Sequence, residues 1–110
     1  MLKTRNSHSP WGNIQEVTNF GEHICFVSTA SHGGFHLDDE AVAIFKKFYG
    51  DTLNTFTGTL KWLEEDLDAC LVPVCFPDLF MGEEVKQAKK LIAREQKYFQ
   101  LPDSWIEQHC

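Results

Sequence analysis

No run of apolar residues in this chain approaches the 18 or so needed to span a membrane. No Gly-x-Ser-x-Gly elbow occurs, so Ser28 and Ser31 lack the usual setting of a nucleophile. Internal repeats and low-complexity segments are missing as well. Basic residues are scarce: 10 Lys and Arg stand against 16 Asp and Glu, for a formal net charge of -6. That balance argues against general affinity for nucleic acid or anionic membranes, whose phosphates demand clustered cations. The opening Met1-Leu2-Lys3-Thr4-Arg5-Asn6-Ser7-His8 has no apolar stretch behind its two basic residues and does not read as a signal peptide. A cytoplasmic location is therefore expected. There Cys25, Cys70, Cys75 and Cys110 should be thiols, and their spacings fit no common zinc pattern.

What the chain does contain is core material. Among its 110 residues are nine Phe, three Trp and two Tyr, and hydrophobic residues make up 43%. This suits one ordinary globular domain. Residues 1–10 are polar, end at Pro10 and read as a loose arm; residues 11–110 read as the domain. The stretch 13–20 alternates weakly, and 23–28 is a better strand with β-branched and aromatic residues; Gly21-Glu22 between them predicts a hairpin. Gly33-Gly34 predicts a loop, with a backbone that needs unusual dihedrals or a close approach by another group.

Asp38 is placed to cap a helix over 38–49. Asp39 and Glu40 suit its positive end, Leu37 can staple against Val42, and Gly50 can end it. Leu67, Cys70, Leu71, Val74 and Cys75 fit one face of a second helix near 65–76; a buried strand over 69–76 is the rival reading, and Pro73 argues against either, while the acidic Glu64-Glu65-Asp66 opening favours the helix. A short strand is expected within 59–63 and a third helix over 83–99. Ser104-x-x-Glu107 reads as a capping box for a terminal helix. The expected fold is α+β, a small antiparallel sheet packed against about three helices.

Two stretches carry a resemblance. One is Val27-Ser28-Thr29-Ala30-Ser31-His32-Gly33-Gly34-Phe35-His36-Leu37. The other is Lys61-Trp62-Leu63-Glu64-Glu65-Asp66-Leu67-Asp68-Ala69-Cys70, which continues to Phe76-Pro77. Together with Trp11-Gly12 they resemble a domain of unknown function found in proteins of plasmids and phages. Leu63 and Leu67 depart from its pattern, which tends to place an aromatic residue and Cys there. The resemblance implies a mobile-element origin and brings no established reaction. Small acidic proteins of that origin often block host defence machinery, anti-CRISPR proteins among them; the step is an analogy.

Three kinds of site are readable. His32, in a glycine-supported loop, suits a general base if Glu64, Glu65 or Asp66 orients it, with Glu65 the first choice; the bland alternative is that His32 pins the loop. For metal, His32-x-x-x-His36 with Asp38 or Glu65 is the candidate set. Its spacing suits a helix that Gly33-Gly34 opposes, so no metal and no cofactor are expected. The third site is acidic: Glu64, Glu65, Asp66, Asp68, Asp78, Glu83 and Glu84 occur with no Lys or Arg between them, and Phe80 could anchor an interface beside them. The bland alternative there is solvated surface. The reading this favours is an inhibitor that binds a basic, nucleic-acid-facing surface of a host defence complex, without direct nucleic-acid or membrane binding. A small hydrolase or transferase using His32, or an accessory domain of mobile-element proteins, are the rivals.

Overall fold

A computed structural model describes residues 3–110. The first two residues of the expected arm, Met1 and Leu2, lie outside the described residues. The fold is α+β. Short strands His8–Ser9 (β1) and Gly12–Asn13 (β2) form a small antiparallel pair. The main antiparallel sheet has the order β3-β4-β5-β6, built from Glu16–Phe20, Ile24–Ser28, Gly33–Leu37 and Trp62–Glu64. The predicted hairpin is present: Phe20 pairs with Ile24, and Gly21 takes the turn with φ 76°.

Helix α1 spans Asp39–Tyr49 as its local signals dictate. The Asp38 carboxylate accepts the Ala41 N–H at 3.0 Å, and Gly50 closes the helix at φ 90°. Ala41, Phe45 and Tyr49 point into the main core, a periodicity of about one turn that puts them on one stripe. The Tyr49 hydroxyl donates to the Leu71 carbonyl at 2.5 Å, tying α1 to the segment after β6.

That segment departs from expectation. Instead of one helix near 65–76, strand β6 reaches Glu64, a 3-10 turn covers Asp68–Cys70, and helix α2 covers only Leu71–Cys75. The acidic run that resembles a helix start is thus the end of a strand and its exit turn. Leu71 and Val74 are buried as expected, whereas Cys70 and Cys75 are half-buried. Burial still pushes both thiols up to about 12.

The third helix is broken at Glu95 into α3, Gly82–Arg94, and α4, Gln96–Phe99. Ala88, Ile92 and Phe99 face the core, while Lys86, Lys89, Lys90, Arg94 and Lys97 are exposed. Helix α5, Asp103–His109, begins one residue before Ser104, with Pro102 in the capping position, so the Ser104-x-x-Glu107 box does not form. Trp105 is nonetheless brought in, stacking on Tyr49 and donating its indole N–H to the Phe48 carbonyl at 3.0 Å. No helix among the described residues is long and apolar enough to cross a membrane.

Candidate functional site

Pairing of β5 with β6 determines what meets at the sheet's open end. The register sets Gly34 opposite Glu64, Phe35 opposite Leu63 and His36 opposite Trp62. Because side chains alternate, Phe35 and Leu63 enter the core, while Trp62 and Glu64 share the other face. The Glu65 N–H donates to the Gly33 carbonyl at 3.0 Å, which carries the pairing to the residue next to His32.

The two glycines belong to β5 rather than to a loop, and neither has a positive φ. They are required by close approach. A Cβ on Gly34 would lie 2.5 Å from the Trp11 indole and would also collide with the Leu63 carbonyl. A Cβ on Gly33 would meet the Val27 carbonyl at 2.9 Å and the Glu65 carboxylate at 3.0 Å. Trp11 packs edge-on to Trp62, with centroids 5.7 Å apart. The Trp-Gly, Ser-x-His-Gly-Gly and Glu-Glu-Asp segments therefore meet in one place.

The loop before β5 is held by Thr29. Its hydroxyl donates to the His32 carbonyl at 2.7 Å and accepts the His32 N–H at 3.1 Å. The backbone is pinned by this turn, and the exposed imidazole takes no part in it. A His32 ring nitrogen, a Glu64 carboxylate oxygen and an Asp66 carboxylate oxygen all lie within 4.8 Å of one another. Glu64 is 6% exposed and accepts the Asp66 N–H at 2.9 Å. Burial raises its pKa, the Asp66 N–H opposes that, and the charge of Asp66 adds to the rise. Glu65, the first-choice partner of His32 from sequence, lies over Gly33 instead.

The His32–His36 metal set does not converge. Four residues of extended strand separate the two by about 13 Å. Asp38 is engaged elsewhere: its carboxylate meets His23 Nδ1 at 2.6 Å. His36 is buried against Trp62, and its Nδ1 has no partner among the described residues.

The acidic residues divide into two groups. Asp68 is fully buried: its carboxylate accepts the Phe56 N–H at 2.6 Å and the Tyr98 hydroxyl at 3.0 Å. It holds the 52–59 loop to α4 and offers nothing to a partner. Glu64 is likewise withdrawn. Glu65, Asp66, Asp78, Glu83 and Glu84 are exposed. Phe80 is half-buried, stacked on Phe20 and edge-on to Phe35, so it serves the core. The exposed apolar residues beside Asp78, Glu83 and Glu84 are Leu79 and Met81, 38% and 72% accessible. Sequence patterning did not separate Met81 from Phe80. Next to Leu79 lies an open groove of about 330 Å³, lined by Phe20, Ile24, Ala41, Ile44 and Phe76.

An antiparallel sheet with helices on its core face and a motif cluster at one end defines an α+β domain whose class alone prescribes no activity. The chain belongs to the family described as Domain of unknown function (DUF7007), whose profile matches residues 4–109. That match extends on both sides of the motifs, from Trp11 to Pro77, that carry the resemblance. Neither the curated proteins nor the solved structures contain a significant match.

Proposed function

We propose that this domain is an inhibitory binding protein of a phage or other mobile element, of the anti-CRISPR kind. It docks on a basic, nucleic-acid-facing surface of a bacterial defence complex. The observation that carries the reading is the edge from Asp78 to Glu84. There exposed Leu79 and Met81 are close in sequence to exposed Asp78, Glu83 and Glu84, and Asp78 and Leu79 border an apolar groove. Apolar anchors rimmed by carboxylates suit a basic partner: the anchors supply burial, and the charges supply steering. The mobile-element origin rests on the motif resemblance.

The test is charge reversal at exposed positions the fold uses least: Glu83 accepts the Gln87 amide at 2.9 Å on the solvent side of α3. Glu84 is left intact because its carboxylate accepts the Met81 N–H at 3.1 Å at the start of α3. Asp78→Lys with Glu83→Lys should leave the domain folded and cut binding to a complex captured from a bacterial host carrying defence systems. Wild-type binding should weaken with salt through slower association. A folded double variant that binds as well as wild type, with no salt dependence in either, ends this reading.

The enzyme reading is favoured by one observation, the approach of His32 to Glu64 and Asp66. A hydrolase or transferase would use His32 as base with one of these carboxylates as its orienter. Turnover of a small molecule, lost in His32→Ala without any captured complex, is the result that replaces binding with catalysis.

A further inference from the structure

We propose that His32, Glu64 and Asp66 form a binding site for one divalent cation of the Mn2+, Fe2+ or Zn2+ class. The inference is independent of the inhibitor reading, since the site lies at the end of β5 and β6 and uses none of Asp78, Leu79, Met81, Glu83 or Glu84.

Three observations meet here. The first is ligand convergence: one imidazole nitrogen and two carboxylate oxygens from separate side chains lie within 4.8 Å of each other. An imidazole with two carboxylates suits cations of intermediate hardness, and three protein ligands leave positions for water. The second is Glu64 itself. It is more than nine-tenths buried, and one oxygen takes the Asp66 N–H. The other keeps solvent contact, and the carboxylate lies on the side of His32 and Asp66, where an ion can reach it. A cation bound at that oxygen offsets the cost of holding a largely buried carboxylate beside the charge of Asp66. The third is electrostatic: Glu64 stands beside the like charge of Asp66, and among the described residues no Lys or Arg is ion-paired to either. The β5–β6 register and the Thr29 turn fix the backbone on both sides, so the three ligands are held before any ion arrives.

The experiment titrates Mn2+ and Zn2+ into the full chain at neutral pH by calorimetry and follows Mn2+ by NMR line broadening. One equivalent should bind. Mn2+ should broaden the His32 ring signals and the Gly33 and Glu65 amides before those of His8 and His109. His32→Ala and Asp66→Asn change exposed side chains and should keep the wild-type circular dichroism while lowering affinity roughly 10-fold or more. His23→Ala removes a separate His–carboxylate contact, with Asp38 and Glu40, and should leave binding unchanged. The proposal is overturned by the absence of saturable binding, by undiminished binding in both ligand variants, or by broadening centred on His23.

Discussion

The indole of Trp11 fills the space that a Cβ on Gly34 would need, 2.5 Å from where that atom would stand. This contact joins the start of the domain to the middle of its sheet and explains a glycine in a fully paired, buried strand. Gly34→Ala should destabilise by about 2–3 kcal/mol through overpacking, measured by denaturant unfolding. Trp11→Ala should not rescue it, because the Leu63 carbonyl also occupies the space and is backbone. Gly82→Ala is the control: nothing stands within 4 Å of its added Cβ, and it should be neutral or stabilising by about 0.4–1 kcal/mol. A Gly34→Ala protein as stable as wild type would remove the close-approach explanation.

Asp68 separates hydrogen bonding from charge. Asp68→Ala strands the Phe56 N–H and the Tyr98 hydroxyl and should cost about 3 kcal/mol. Asp68→Asn can accept from Phe56 and donate to the Tyr98 oxygen, so its cost should stay within about 1 kcal/mol. Burial raises the Asp68 pKa above 3.8. The folded state therefore holds this proton more tightly than the unfolded state. The stability linked to Asp68 is present below pH 3.8 and is lost as pH rises through the raised folded value. Asp68→Asn should abolish that part of the pH profile, and an unchanged profile would contradict the assignment.

His36 should give the opposite slope. Burial, assisted by the charge of Lys3, lowers its pKa from 6.5 to about 4. Between these values the unfolded state binds the proton and the folded state does not. Stability linked to His36 is thus full above pH 6.5 and is lost as pH falls toward 4. The loss should be on the order of 3 kcal/mol. Comparing unfolding of wild type and His36→Leu across this range isolates it from Asp68 and Glu64, because the variant lacks only the His36 component. Parallel pH curves for the two proteins would show that His36 does not titrate this way.

Much of the fold is legible where short-range rules suffice. The Gly21 turn and its β-branched flanks mark a hairpin, and Asp38, Asp39, Glu40 and Gly50 bound α1 from within a few residues. The site is legible in part: His32 and the Glu64–Asp66 segment stand out as chemistry-bearing, and they do approach one another. Which carboxylate faces His32 is not legible, because strand alternation turns on the β5–β6 register and one residue's slip would exchange Glu64 for Glu65.

The α+β composition, the hairpin, the α1 boundaries and the solvated basic face of α3 each follow from local periodicity, turn residues or caps. Tertiary structure alone decided that the strand expected within 59–63 runs over 62–64, taking in Glu64, and that Asp68 is internal. It also decided that Phe80 belongs to the core while Met81 faces solvent, and that His32 meets Glu64 and Asp66. An acidic run reads the same at a helix start as at a strand exit, because local sequence records charge but not partners. The partners, Gly34 for Glu64 and Tyr98 for Asp68, lie 30 residues away in each case, and only folding brings them within bonding distance.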